Sequence, residues 1–317
     1  MLYPISVPKP DSAEDLIGFI DADGRVVIPP SYAGGAYFLE GKASVLDSSK
    51  KSGFIDGLGN VVIPFRFYGC GLFKDGLCSL NGGYIDHSGD WFITPRFLVN
   101  SSFSEGRAFA SVDGETFGFI NFSGDFVVLP QFELCRAFSG GLAAVRREGR
   151  WGFIDHRGEM QIPPVFEGQY ALAFFNGVAG VQIDGRWGFI DECGKLVLKP
   201  IYDQVKSFSE GYASVQRDRK WGLVNPDGKL ALDYQFDDLG LLNGGMAPAT
   251  GDGKAGFIRA DGSWAIEPAF DKCYRFFGQL AVARKGKVYC YLRRNGSVVW
   301  TSEPGAYTAS PPVPFVI

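Results

Sequence analysis

The sequence predicts an all-β protein built from tandem repeats, and three observations support that prediction. A segment reading G-F-I-D recurs about every 34 residues, in copies that begin near residues 18, 53, 83, 118, 152, 188, 222, 256 and 290. A glycine follows six residues into each copy. No segment shows sustained 3.6-residue apolar periodicity, which would indicate helices. Self-similarity at a period of 20–50 residues is typical of repeat architectures.

Each copy predicts a three-stranded antiparallel meander. The G-F-I-D segment is the first strand, and a short hairpin turn follows at a glycine such as Gly158, which is expected to adopt positive φ. A second strand, such as residues 196–198, ends in most copies at a proline, which cannot donate to a sheet ladder. A third strand, such as residues 213–216, precedes the next copy. The loop between the second and third strands can hold a short fourth strand.

Aromatic residues recur at two fixed positions of the repeat, for example Tyr202 and Phe208. One small sheet cannot bury an apolar face alone, so these side chains are expected to pack between neighbouring units. The sequence thus predicts a continuous array over residues 17–302. A lead-in at residues 1–16 precedes it, and a Pro-rich tail or cap at residues 303–317 follows it.

Such an array can run as an open superhelical solenoid or close as a β-propeller. The sequence favours the open solenoid for two reasons. Propeller blades usually have four strands, and closed rings often share one blade between the two termini. Here the last copy supplies three strands itself, at residues 280–284, 288–292 and 297–300.

Composition limits the classes of function. The chain has 317 residues, of which 46% are hydrophobic and 15% aromatic, and this is ample for an ordered core. The net charge of −4 argues against a general binder of nucleic acid or anionic membranes. The sequence has neither a signal-like N-terminus nor an apolar run of about 18 residues, so a cytoplasmic protein is expected.

Several copies resemble the bacterial WG repeat, also called the KWG repeat. The resemblance lies in Trp151-Gly152-Phe153-Ile154-Asp155, in Trp187-Gly188-Phe189-Ile190-Asp191 and in the later segment Phe208-Ser209-Glu210-Gly211. It covers roughly residues 17–300 and implies binding or scaffolding without chemistry. Other copies replace the Trp, with Ile17, Ser52, Gly82, Phe117, Ala255 and Tyr289. Trp is therefore interpreted as one packing option rather than as a ligand-stacking residue.

No catalytic, cofactor or metal site is predicted, and the protein is not expected to be an enzyme. His87 and His156 occupy the same turn in different copies, where partners for catalysis would rarely converge. The segment from Asp21 to Gly24 is interpreted as an Asx-stabilised turn rather than a calcium loop. The six cysteines contain no C-x-x-C motif and are interpreted as small apolar fillers, with Cys193 as the exposed thiol.

Charge placement suggests a binding surface. The turns that precede the later G-F-I-D segments are basic, whereas the turns inside the G-F-I-D hairpins are acidic. Stacked units would align these turns as two edges of opposite sign, which are either solvated tips or a surface for an acidic protein partner. The residues of this predicted basic edge are Arg146, Arg147, Arg150, Arg186, Arg217, Arg219, Lys220, Lys254, Lys285 and Lys287.

The expected function is therefore a non-catalytic, protein-binding repeat scaffold. One alternative is an immunity or inhibitor protein that neutralises a toxin or enzyme. The other is a glycan or cell-wall binding module, for which Trp91 and Trp264, at one position of the repeat, are candidates. Neither nucleic acid nor a membrane is expected as a partner, and the sequence leaves the oligomeric state open.

Overall fold

A computed structural model describes residues 1–9 and 15–303. The predicted tail at residues 303–317 lies outside the described residues, apart from Glu303. Every helix or strand assigned in the described part of the chain is a β-strand. The strands form nine antiparallel sheets, which we number 1 to 9 in chain order.

The strands fall into the nine sheets as follows. Sheets 1 to 3 contain β1 (Tyr3–Pro8), β2 (Asp15–Ile20) and β3 (Val26–Tyr32); β4 (Gly34–Gly35), β5 (Ala43–Leu46), β6 (Ser52–Ile55) and β7 (Val61–Phe67); and β8 (Phe73–Lys74), β9 (Leu77–Leu80), β10 (Gly83–Ile85) and β11 (Trp91–Ile93). Sheets 4 to 6 contain β12 (Val99–Asn100), β13 (Ala108–Ser111), β14 (Phe117–Ile120) and β15 (Phe126–Phe132); β16 (Leu134–Cys135), β17 (Ala143–Arg147), β18 (Arg150–Ile154) and β19 (Met160–Phe166); and β20 (Val178–Ile183), β21 (Arg186–Asp191) and β22 (Leu196–Tyr202). Sheets 7 to 9 contain β23 (Gln204–Val205), β24 (Ala213–Arg217), β25 (Lys220–Val224) and β26 (Leu230–Phe236); β27 (Asp238–Leu239), β28 (Ala247–Gly251), β29 (Lys254–Ile258) and β30 (Trp264–Phe270); and β31 (Lys272–Cys273), β32 (Leu280–Lys285), β33 (Val288–Arg293) and β34 (Val298–Thr301).

Most sheets have four strands, so the prediction of a three-stranded unit was incomplete. The additional strand is short and lies in the aromatic-bearing loop, where the sequence left room for it. In sheet 6 a single bridge between Glu167 and Gln182 takes its place. Each sequence repeat begins in the third strand of a four-stranded sheet, or in the second strand of sheets 1 and 6. It ends in the strand that precedes the G-F-I-D strand of the next sheet, so each repeat except the last joins two sheets covalently.

In seven of the sheets, the G-F-I-D glycine allows the last strand to lie close to it. In sheet 5, Phe153 pairs with Ile162, and the register shifts on either side of Phe153. A Cβ added to Gly152 would lie 2.6 Å from the carbonyl oxygen of Ile162. A larger residue at Gly152 would therefore push the last strand away from its neighbour.

The glycine of the hairpin turn packs one sheet against the preceding sheet. Gly158 has a φ of 83°, as predicted, and a Cβ there would lie 2.8 Å from a methyl group of Val128 in sheet 4. Val128 is only 4% exposed. The same contact joins Gly59 to Ile28, Gly89 to Ile63, Gly124 to Ile93, Gly194 to Ile162, Gly228 to Leu198, Gly262 to Leu232 and Gly296 to Ile266.

The same contact also joins the first and last sheets, so the prediction of an open solenoid was wrong. Gly24 of sheet 1 lies against the backbone of Val299 in sheet 9. Arg293 also pairs with Asp23 at 2.7 Å. The nine sheets are therefore the blades of a closed β-propeller. The prediction failed because the ring closes by packing between two blades rather than by sharing strands between the termini.

Buried tyrosines replace standard repeat residues where the ring closes. Tyr3 pairs with Ile20, a position held by alanine in most blades, and Tyr291 replaces the phenylalanine of G-F-I-D. The Tyr291 hydroxyl donates to the Pro4 carbonyl at 2.7 Å, and the backbone N–H of Gln279 donates to the Tyr3 hydroxyl at 2.9 Å. Burial raises the pKa of Tyr291 well above its ordinary value. The contact between blades 1 and 9 thus has its own polar, aromatic core.

The chain divides into two compact units. The first comprises Met1–Phe92, Lys254–Gly256 and the described residues from Ala265 onward, and it contains the contact between blades 1 and 9. The second comprises Ile93–Gly253 and Phe257–Trp264. Aromatic packing is the core of both: Tyr3 is 1% exposed in the first unit, and Tyr202 and Phe208 are 4% and 3% exposed in the second, as predicted.

Candidate interaction surfaces

In blades 5 to 9, the residues of the predicted basic edge lie in or directly beside the tight turn that precedes the G-F-I-D strand. Arg219 and Lys287 lie in the turns, and the others lie at the ends of the flanking strands. In blade 5 this turn is Glu148-Gly149, with φ values of 51° and 74°. In blade 6 it is Asp184-Gly185, with φ values of 50° and 73°. Positive φ at both central residues is the geometry that short hairpins prefer. Glycine favours this geometry, although Arg219 also adopts it, with a φ of 63°, in the equivalent turn of blade 7.

Acidic residues share this edge and pair with the bases. Each acid directly follows the aromatic residue that ends the last strand of a blade. Lys220 pairs with Asp237 at 2.6 Å, and Lys254 pairs with Asp271 at 3.0 Å. Two further ion pairs join Arg186 to Asp203 and Arg150 to Glu167. The edge is thus an alternation of charges rather than a basic strip.

The same acids also connect neighbouring blades. Asp203 accepts from the backbone N–H of Asp218 in the next blade at 2.8 Å, and Asp271 accepts from Gly286 at 2.6 Å. Glu133 accepts from Gly149 at 3.1 Å. These carboxylates therefore have a structural role, which the sequence analysis missed. The acid that follows each aromatic residue was the available signal.

The remaining bases of the edge differ in their surroundings. Arg147 bonds to Gln131 at 2.6 Å and lies 5.2 Å from the centre of the Phe132 ring. Arg146 lies 3.5 Å from Glu133, and Arg217 lies 4.0 Å from Asp218. Arg219 and Lys287 hold exposed turn positions, and Lys285 is exposed at the end of β32. A partner-binding role for the edge stays a prediction.

A second set of blade-to-blade contacts explains the F-S-E-G segment of the repeat. The Ser104 hydroxyl donates to the carbonyl of Phe138 in the next blade at 2.9 Å. The Glu105 carboxylate accepts from the backbone N–H groups of Gly140 and Gly141 at 2.8 and 3.1 Å. Ser209 and Glu210 make the same bonds to Leu242, Gly244 and Gly245. The polar residues of this motif therefore hold adjacent blades together.

Both histidines join these contacts. His156 stacks on Phe138 at 4.3 Å and lies 3.3 Å from Glu105. His87 stacks on Phe73 at 4.4 Å and lies 3.3 Å from Glu40. Both lie in hairpin turns, as predicted, with partners that the sequence analysis did not foresee. In blade 4, Phe122 takes this position and stacks on Phe103, which indicates a packing role.

The hairpin aspartates cap their own turns. Asp21 accepts from the backbone N–H groups of Asp23 and Arg25 at 2.8 and 2.9 Å, which confirms the Asx-stabilised turn. The Ser88 hydroxyl and the amides of Ser88 and Asp90 lower the pKa of Asp86 below its ordinary value. In the described part of the chain, no group of three or more His, Cys, Asp or Glu residues could hold a metal ion.

The cysteines match their predicted setting. Cys78, Cys135 and Cys290 are buried free thiols, and Cys193 is exposed. Burial raises the pKa of Cys78 to about 12 and that of Cys290 to about 11. Buried thiols with raised pKa values are poor nucleophiles. Cys193 is the most accessible thiol of the set.

A group of aromatic residues lies on or directly after the last strands of blades 2 and 3. It consists of Phe67, which is partly buried, and the exposed Tyr68, Trp91 and Phe92, and we call it the aromatic edge. The Phe67 and Trp91 rings meet edge to face at 6.2 Å. Tyr68, Trp91 and Phe92 are 61%, 41% and 53% exposed. Tyr68 directly follows Phe67, at the position where later blades carry an acid such as Asp203 that pairs with a base. The ion pairs of the later blades are therefore replaced here by an apolar surface.

Trp264 lies at the repeat position of Trp91 but in blade 8. It packs edge to face on Phe236 at 5.7 Å, as Phe126 packs on Phe97 in blade 4. This recurrence shows that the position mainly joins adjacent blades. The two tryptophans belong to different compact units.

The nine blades and the polar contacts that recur between them define a repeat protein, and the sequence of the chain places it in a family. A family model described as WG containing repeat matches residues 17–50, 53–79, 83–115, 117–151, 151–187, 187–221, 221–254 and 256–289. The chain therefore belongs to the WG repeat family. Trp151, Trp187 and Trp221 are 1%, 4% and 5% exposed, so the Trp of the motif is a core residue, as predicted.

Comparison with curated proteins finds no match. Among solved structures, the crystal structure of a eukaryotic initiation factor is similar over 95% of this chain and 96% of its own, with 9% identity and a TM-score of 0.66. BamB from Moraxella catarrhalis is similar over 94% and 98%, with 13% identity and a TM-score of 0.44. Hsv2 from Kluyveromyces lactis is similar over 72% and 94%, with 10% identity and a TM-score of 0.45. The first likeness supports the fold over nearly the whole chain.

Across the described residues, no helix has the length and apolarity needed to span a membrane.

Proposed function

We propose that this protein is a non-catalytic, protein-binding repeat scaffold whose contact surface is the aromatic edge. The observation that carries the proposal is the exposure of Tyr68, Trp91 and Phe92 on two adjacent blades. Aromatic residues are enriched at protein interfaces and supply much of their binding energy. Exposed apolar patches on soluble proteins are frequently interaction sites.

The use of the polar residues supports a binding role without chemistry. His87 and His156 stack on phenylalanines, and the hairpin aspartates cap turns. The charged turns hold neighbouring blades together. These groups, which would be the first candidates for catalysis, thus have structural partners that recur from blade to blade.

The test is partner capture from extracts of the native host with matched variants. The double variant Tyr68→Ser with Phe92→Ser removes two exposed aromatic side chains. The control is Ile201→Ser, because Ile201 is also apolar and is 45% exposed, but lies in blade 6. Unchanged thermal melts of all three proteins establish that the propeller remains folded.

We expect a protein that is captured by the wild type and by Ile201→Ser and is lost with the double variant. Capture of the same protein by all three would move the contact surface elsewhere. Failure of the folded wild type to capture any specific protein would contradict the scaffold function. If the captured protein is a toxin or an enzyme whose activity falls on binding, the scaffold acts as an inhibitor.

Glycan binding is a second candidate because Trp91 is 41% exposed, and carbohydrate sites commonly use aromatic surfaces. Binding of host cell-wall polysaccharide to the wild type, and its loss in Trp91→Ala, would support this candidate. Trp264→Ala is the matched control, because Trp264 holds the same repeat position in another blade. Equal retention by all three proteins would contradict it.

A further inference from the structure

Prolines divide the long edge strands into two classes. In seven blades the last strand has seven residues: β3, β7, β15, β19, β22, β26 and β30. All except β26 contain proline at the fourth or fifth residue of the strand. In β26, the sequence is Leu-Ala-Leu-Asp-Tyr-Gln-Phe.

The prolines show which backbone donors each blade can do without. Proline fills the repeat position of Asp233 in blades 1, 2 and 5, and that of Tyr234 in several blades, for example at Pro200. Proline has no N–H, yet these blades keep the same pairing between their last two strands. The ladder of blade 7 therefore does not need the N–H groups of Asp233 and Tyr234.

The edge of β26 is also accessible. It is the terminal strand of its sheet, and Asp233 and Gln235 are exposed whereas Leu232 is 6% exposed and anchors the strand. Natural proteins usually block such edges with proline or with charge. The register irregularity beside Leu223, where residues 233–235 face the single residue 222, recurs in the other blades. Six of the long edge strands add proline to it, whereas β26 adds only the charge of Asp233.

We propose that the β26 edge of blade 7 binds an extended peptide segment of a partner protein, which adds to the sheet as a further strand with a basic side chain near Asp233. The chemistry of the edge selects this ligand, because backbone donors and acceptors pair with an extended backbone and the exposed carboxylate favours a cation. Two copies of β26 paired with each other would bring like charges together, which disfavours self-association. This proposal rests on the proposed scaffold function in one respect, that the ligand is a protein. The surface is different, because the peptide binds the β26 edge and not the aromatic edge.

The test uses a displayed library of linear nine-residue peptides selected on the wild-type protein. Affinities of the selected peptides are then measured by fluorescence polarisation for the wild type, Asp233→Pro and Asp233→Asn. Asp233→Pro removes one donor and restores a residue that three other blades accept in this position. Asp233→Asn removes the charge and retains the donor. Thermal melts of both variants should match that of the wild type.

We expect selected peptides that contain Lys or Arg and lack a central proline. Their binding should weaken at least tenfold with Asp233→Pro and by a smaller factor with Asp233→Asn, and it should not change with the aromatic-edge double variant. Equal binding to wild type and Asp233→Pro would overturn the proposal, as would a selection that yields no peptide. Either result leaves partner capture at the aromatic edge as a separate readout, so the failure of this proposal is distinguishable from the failure of the scaffold function.

Discussion

The contact between a hairpin glycine and the preceding blade can be measured with two alanine substitutions. Gly158 and Gly185 both have positive φ, at 83° and 73°. Alanine should cost about 1–2 kcal/mol at each position through backbone strain. The two sites differ in their surroundings: a Cβ on Gly158 would meet Val128 at 2.8 Å, whereas one on Gly185 would meet nothing within 4 Å.

Gly158→Ala should therefore be the more destabilising change. Val128 is buried and its branched side chain is stiff, so it cannot yield without a shift of the blade. Such overpacking typically costs about 1–3 kcal/mol, which gives a total near 2–5 kcal/mol for Gly158→Ala. Urea unfolding followed by tryptophan fluorescence measures both variants. Equal losses of stability would refute the argument that this glycine is required by packing between blades.

Three further predictions concern packing, pH and thiol reactivity. Phe208 is 3% exposed and meets Phe189 edge to face at 4.9 Å, so Phe208→Ala should lower the free energy of unfolding in urea by about 3–5 kcal/mol; a loss below about 1 kcal/mol would contradict its core role. The folded pKa of Asp86 lies below its ordinary 3.8, chiefly through the Ser88 hydroxyl; its stabilising contribution is therefore present above pH 3.8 and is lost as the pH falls through the folded pKa. Asp86→Asn keeps a side-chain oxygen as acceptor, as Asn121 and Asn225 do in two other copies. Below pH 3.8, the free energy of unfolding of this variant should therefore depend less on pH than that of the wild type. Identical slopes of the free energy of unfolding against pH would contradict the role of Asp86. Among the thiols, Cys193 should react with a disulfide reagent in the native protein well before the other cysteines do; equally rapid reaction of the buried Cys78, Cys135 or Cys290 would contradict their place in the core.

The sequence predicted the repeat, the strands and the buried positions because each depends on local pattern. Gly158 marks a turn that needs positive φ, and Phe208 recurs at a fixed distance from it. The buried free thiol of Cys78 follows from its place in the alanine slot of the repeat. These features depend on one blade and its neighbour, so a single repeat contains the information.

Ring closure depends on the relation between the two ends, and one repeat contains no information about it. The available signal was one departure from the pattern, Tyr3 at the alanine position of the repeat. Tyr291 at the phenylalanine position does not mark the junction, because Tyr84 holds that position in blade 3. The ion pairs at the turns could not be predicted from the sequence for a similar reason. Lys220 and Asp237 are separated in sequence by a full hairpin and strand, so only the fold shows that the base and the acid compensate each other.

The distance between the two ends of the repeat array tests the closed ring most directly. Spin labels at Asp23→Cys and Arg293→Cys, with Cys193→Ser to remove the exposed thiol, allow pulsed dipolar measurement. The native side chains lie 2.7 Å apart and are partly exposed, so the propeller predicts a single short distance, on the order of 20 Å between labels, set by the label arms and the ~10 Å spacing of packed sheets. An open stack of nine sheets with that spacing would place the labels ~80 Å apart. A dominant distance beyond ~50 Å, several sheet spacings, would contradict closure of blade 1 on blade 9.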